Sequence, residues 1–261
     1  MIDFFYELNP LWQAFIASLF TFSMTTLGSA LVFLFKKTNK NIMDSLLGIS
    51  AGIMLAAAIF SLLLPSIEQS NSLGMPTILV VSIGILFGGL LLILGDKISS
   101  KYVLKEESKL KRVLLLTTSI ILHNIPEGIA IGVAFGSVIY GIEGATIAAA
   151  ISLAAGIAIQ NVPEGAAISI PLRREGLKRH QAFLVGMSSG IVEPISALIG
   201  VVLVLKIKVI LPYLLAFAAG AMIFVVIVEL IPESQSNKNK NLIALLSLIG
   251  FIFMLMLEIG I

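Results

Sequence analysis

Eight apolar segments, each about as long as a bilayer is thick, constrain this chain more than any other feature. They fall at about 11–35, 43–64, 77–95, 111–137, 144–170, 182–205, 209–231 and 241–259, read as windows of high hydropathy. Roughly 20 apolar residues cross the hydrocarbon core as a helix. Lipid offers the backbone no water, so a span must pair its amides within itself, which a helix does. The expected fold class is therefore an all-α integral membrane protein with eight transmembrane helices. Residues 1–261 then form a single transmembrane domain with short loops. The charged share agrees, at 12% against 58% hydrophobic residues, about half of the roughly 25% typical of soluble domains. The first residues, Met1 to Glu7, are acidic and aromatic rather than basic. The first apolar segment is thus expected to be retained as a span and not removed as a signal.

Charge sets the expected orientation. Lys36, Lys37 and Lys40 fall between the first two spans. Lys97, Lys101, Lys105, Lys109, Lys111 and Arg112 fall between the third and fourth. Arg173, Arg174, Lys178 and Arg179 follow the fifth, and Lys238 and Lys240 follow the seventh. Only Lys206 and Lys208 lie at the other end, so 15 of the 17 basic residues share one face. The positive-inside rule assigns that face to the cytoplasm and both termini to the outside. A net charge of +2 leaves no nucleic-acid footprint, and the absence of Cys excludes disulfides, thiolate metal sites and Cys nucleophiles.

Two internal echoes suggest an inverted 3+2+3 arrangement. His123-Asn-Ile-Pro-Glu-Gly128 in the fourth span recurs as Gln160-Asn-Val-Pro-Glu-Gly165 in the fifth, which runs the opposite way. More loosely, Ala51-Gly-Ile-Met54 with Pro65 in the second span resembles Ala219-Gly-Ala-Met222 with Pro232 in the seventh. Inverted repeats with a site at their interface recur among transporters.

An ionisable side chain inside a span costs about 2.5–3.5 kcal/mol on insertion scales and is a functional candidate by default. His123 and Glu127 are spaced i, i+4 on one helix face, with Asn124 beside them. Gln160, Asn161 and Glu164 repeat the layout, and Glu193 stands next to Pro194 in the sixth span. Pro126, Pro163 and Pro194 remove backbone donors and are expected to free the carbonyls of Leu122, Ile159 and Gly190. Gly128 and Gly165 are expected to let helices approach closely. Three carboxylates with no basic residue in any span core must share protons or hold cations. Imidazole, amide oxygens and carboxylates together suit a borderline divalent ion such as Zn²⁺, Fe²⁺, Mn²⁺ or Cd²⁺; Ca²⁺ and Mg²⁺ prefer oxygen alone. Met54 reads on its own as packing more readily than as a ligand. Glu229 in the seventh span reads either as part of an ion path or as an interfacial residue. His180 is expected to be solvated, and Asp96 to sit at a surface.

These motifs resemble the ZIP (Zrt/Irt-like protein) family of divalent metal transporters. The resemblance rests on His123-Asn-Ile-Pro-Glu-Gly-Ile-Ala-Ile-Gly132 and Gln160-Asn-Val-Pro-Glu-Gly165, and length and span number extend it over the whole chain. It implies metal ligands at His123, Asn124 and Glu127, at Gln160, Asn161 and Glu164, and at Glu193. It also raises Met54 to a ligand and places Glu229 on the transport path. The family is described with two adjacent metal positions bridged by the two motif glutamates. This chain departs from it in two places. Val228 stands where many members carry His, and Asn161 stands where some carry Asp. With at most three carboxylates, one tightly held metal is expected rather than two.

The expected function is uptake of a divalent transition metal, zinc first, into the cytoplasm by alternating access. No prosthetic group is implied. The expected partners are the metal ion and the bilayer of the plasma membrane, with association into a homodimer left open. An enzyme is not expected, since no H-E-x-x-H or other catalytic constellation is present. A cation exchanger, and more remotely an intramembrane metalloenzyme, are the alternative readings.

Overall fold

The computed structural model describes residues 2–34, 40–102, 109–140, 145–174, 176–206, 208–236 and 239–260. The side chains of 2–4, 99–102, 109–120, His123, Arg174, Lys206 and Lys208 lie outside that description, as does that of Asp96 with its expected surface position. After a short helix at Ile2–Glu7, the long helices are α1 (Pro10–Leu34), α2 (Lys40–Ser72), α3 (Thr77–Tyr102) and α4 (Lys109–Ser137). They continue as α5 (Ile147–Arg174), α6 (Arg179–Leu205), α7 (Leu211–Ser234) and α8 (Lys240–Gly260).

Local chemistry explains where they start and stop. Asn9 caps α1 by accepting a bond from the Trp12 amide at 3.1 Å, and Pro10 opens the helix where its missing N–H costs nothing. Gln181 accepts from the Lys178 amide at 3.0 Å at the start of α6. Gly74, at φ 64°, ends α2, and the Met75 amide returns to the Ser70 carbonyl at 2.9 Å, a helix-ending turn that only glycine enters without strain.

Among the described residues, seven helices are long and apolar enough to cross a membrane. The expected fourth span lies within α4, a helix of 29 residues, whose described apolar part runs Asn124–Tyr140. The other seven expected spans each coincide with one of these helices. The main differences lie at boundaries. α2 runs eight residues past the expected end, to Ser72, because Pro65 falls in the first turn of a new helical stretch, where it is tolerated. α6 is broken at Gly190 and Ile191, between Arg179–Ser189 and Val192–Lys206.

The most extensive packing pairs α1 with α5, α4 with α6, α3 with α7 and α2 with α8. Two groups result, α1, α4, α5, α6 and α2, α3, α7, α8, which meet mainly along α2–α5 and α4–α7. Small residues bring the backbones together. A side chain at Gly128 would strike the Glu193 backbone of α6, and one at Gly165 would strike the Thr25 carbonyl of α1. Of the seven candidate spans α2, α5 and α7 are the most buried, whereas only 22% of the α3 window and 17% of the α8 window is buried. Their outer faces carry Ile78, Leu86, Phe87, Leu248 and Met256, an apolar surface suited to lipid.

Helices α2 and α7 each contain a π-helical stretch, Ala58–Leu63 and Val226–Leu230. Each begins seven residues after the start of its Ala-Gly-x-Met segment, and each ends two residues before its proline. The looser of the two sequence echoes is thus matched by a shared backbone irregularity of a kind often found at functional sites.

Candidate metal site

Pro126 and Pro163 sit inside unbroken helices. Each lacks an amide, so the carbonyl four residues back, at Leu122 and Ile159, receives no helical bond from it. The third expected free carbonyl is not free. Gly190 accepts from the Glu193 amide at 3.1 Å, because the chain turns there before α6 resumes.

Glu127 is fully buried, as are Asn124, Gln160, Asn161 and Glu193, and Glu164 is 7% exposed. Helix α4 presents Glu127 to Gln160 of α5 and Asn124 to the Ser189 carbonyl of α6; α5 also carries Asn161 and Glu164, and α6 contributes Glu193. His123 lies on α4 one turn before Glu127; its side chain is outside the described residues. Hydrogen bonds join the set. Gln160 donates to one oxygen of Glu127 and to the Asn161 carbonyl oxygen at 3.2 Å. Asn124 donates to the Ser189 carbonyl at 2.9 Å, just ahead of the break in α6. Asn161 donates to both oxygens of Glu193 at 3.0 Å. Glu127 and Glu164 lie within electrostatic reach of each other and of Glu193.

Four oxygens in this cluster are buried with no hydrogen-bond partner: Asn124 Oδ1, Glu127 Oε2, Gln160 Oε1 and Glu164 Oε1. Most buried polar atoms in proteins are satisfied, so each orphan calls for an explanation. Four acceptors and no donor among them make a set that a cation would complete. They come from two carboxylates and two amides. Among the described residues, which leave out the His123 side chain, no three His, Cys, Asp or Glu side chains converge on one metal position.

Met54 is 1% exposed in α2, the helix that packs on α5. Glu229 lies in the π-helical stretch of α7 and lines a cleft of about 540 Å³ together with Met43, Glu164, Pro171 and Glu233. The cleft leads from Glu164 to the helix ends that carry Lys40 and Arg173. Lys40 donates to the Ser236 carbonyl at 3.3 Å across that end. Toward the opposite end the helices close on Leu62, Ile131, Leu153 and Leu215, all buried. Beyond them lies a cavity of about 40 Å³, room for a water or two. There Ser61 donates to Glu258 at 2.9 Å. His180 is exposed, as expected.

Three polar residues at these places escaped the sequence reading. Thr21 and Thr25 of α1 donate to Glu193 at 2.5 and 3.2 Å. They belong to a buried row, Ser18, Thr21, Thr25 and Ser29, whose helical spacing along one face of the span was a legible signal. Glu258 carried none, since neither sequence echo reaches the eighth span.

The profile described as ZIP Zinc transporter matches residues 105–258. Zinc transporter ZIP11 of Xenopus tropicalis is 35% identical, over 97% of this chain and 98% of its own length. Zinc transporter ZIPB of Bordetella bronchiseptica is also 35% identical, over 91% of this chain and 77% of its own. Zinc transporter GufA of Myxococcus xanthus is 32% identical, over 94% and 97%. Matches of this length and identity, reaching across both motif helices, make the chain a multi-pass membrane protein and a transporter rather than an enzyme: it belongs to the ZIP zinc transporter family.

Proposed function

We propose that this protein carries Zn²⁺, and with it Fe²⁺, Mn²⁺ or Cd²⁺, into the cytoplasm across the plasma membrane by alternating access. The observation that carries the reading is the set of four buried, unpartnered oxygens shared between α4 and α5. Glu127 and Glu164 supply the charge, Asn124 and Gln160 supply amide oxygens, and His123 adds the imidazole that favours a transition metal over Ca²⁺. Met54 completes the set from α2, as a soft donor. Names of relatives support zinc as the first substrate, since ZIP11, ZIPB and GufA are each called zinc transporters.

All eight long helices span the bilayer in this reading, as an inverted 3+2+3 array. Support comes from the pairing, which maps onto itself when α1–α3 exchange with α6–α8 and α4 with α5, and from the matched π-helical stretches of α2 and α7. The basic end faces the cytoplasm. The cleft beside Glu164 then opens inward and Glu229 lines the exit, while the buried leucines close the outer side. Metal moves as the α1, α4, α5, α6 group shifts against the other group. One departure in sequence bears on release, because Val228 leaves Glu229 as the carboxylate of α7 facing the cleft, with Glu233 near its mouth.

The test is metal uptake by cells expressing Glu127→Ala or His123→Ala, with the amount of protein in the membrane measured alongside. Loss of uptake with membrane insertion intact is the expected result. Uptake at the wild-type rate in both variants would defeat the reading.

A further inference from the structure

The central carboxylates differ in what surrounds them. Glu193 is enclosed by donors: Thr21 reaches Oε2 at 2.5 Å, Thr25 reaches Oε1 at 3.2 Å, and the Asn161 amide spans both at 3.0 Å. All four side chains are at most 1% exposed. Glu127 and Glu164 each keep one buried oxygen with no donor, whereas Glu193 keeps none. A buried carboxylate needs either hydrogen-bond donors or a cation, and bonds to an ionised group are the strong ones. The protein itself meets that need at Glu193, and leaves it unmet on the α4–α5 side.

We infer that Asn161 sets the capacity of the site at one metal ion. Its amide, with Thr21 and Thr25, holds Glu193 as an anchor that ties α6 to α1 and α5, and the metal is confined to the side lined by Glu127 and Glu164. The inference rests on the transport-site reading above and adds the number of ions. The orientation of Asn161 follows from chemistry, since its carbonyl oxygen turned toward Glu193 would set acceptor against acceptor. That oxygen instead takes the Gln160 amide at 3.2 Å. An aspartate at 161 would set two carboxylates at the 3.0 Å now spanned by the amide and Glu193. Like charges that close require a proton or a cation between them. Asn161→Asp therefore makes a second cation position out of residues already in place.

The experiment counts zinc per protomer by mass spectrometry after equilibrium dialysis of the purified full-length protein at neutral pH. The expected counts are one for wild type, two for Asn161→Asp and one for Asn161→Asp combined with Glu193→Gln. Two tightly bound ions in wild type would overturn the inference, and so would a folded Asn161→Asp that still binds one. Should that variant not be recovered folded, the wild-type count decides alone. Glu127→Ala separates the two readings. If it loses zinc that wild type binds, the transport site stands whatever the count, and a wild type that binds no zinc removes both.

Discussion

At the scale of single residues, the protein sorts its buried polar atoms into two kinds. Some are saturated by neighbours and hold helices together, and some are left as acceptors on α4 and α5. The first kind should reveal itself in stability. Thr21→Val removes one of four bonds to the buried Glu193 carboxyl group, and such a bond is worth about 1 kcal/mol. A lower unfolding temperature in detergent is expected, together with a zinc count of one. The identities of Glu127, Glu164, Asn124 and Gln160 were legible in the sequence because the motif occurs twice at the same spacing. The division of labour among them was not. Whether Glu193 faces a cation or three donors depends on α1, which contributes only hydroxyls and lies far away along the chain.

At the scale of elements, the prolines and glycines of the two motifs act differently from one another. Pro126 and Pro163 leave α4 and α5 unbroken, and the break comes instead at Gly190 in α6, ahead of Pro194. Proline positions were visible in the sequence, but which helix breaks depends on whether neighbours absorb the lost bond. Gly165 lies against the Thr25 carbonyl with no room for a side chain. Gly165→Val should push α1 from α5 and disturb the Thr25–Glu193 bond. Overpacking of this kind costs about 1–3 kcal/mol or more, and reduced recovery of monodisperse protein in detergent would report it. The π-helical stretches of α2 and α7 were not legible at all. An extra residue in a helix leaves no mark in composition, and only their equal offsets from Ala51 and Ala219 connect them to the sequence echo.

At the scale of the whole molecule, the apolar segments foretold every long helix, since the demand for internal amide pairing leaves a span few alternatives. Tertiary pairing was less legible, because it depends on small residues such as Gly128 and Gly165 meeting partners remote in sequence. The cleft beside Glu164 points to the basic end, so in the proposed alternating-access cycle the described conformation is the one open to that end. The chain has no Cys, which gives thiol labelling a clean background. A single Ala167→Cys, at the cleft wall, should react with a membrane-impermeant reagent applied to inside-out vesicles. Far slower labelling is expected in right-side-out vesicles, and the reverse pattern would invert the proposed orientation. The central claim is metal transport through the α4–α5 site, and radiolabelled zinc uptake into proteoliposomes of the purified protein tests it most directly. The account predicts uptake that Cd²⁺, Fe²⁺ and Mn²⁺ compete for and Ca²⁺ does not, and that is lost in Glu127→Ala. Uptake that survives Glu127→Ala, or that Ca²⁺ suppresses as strongly as Cd²⁺, would contradict it.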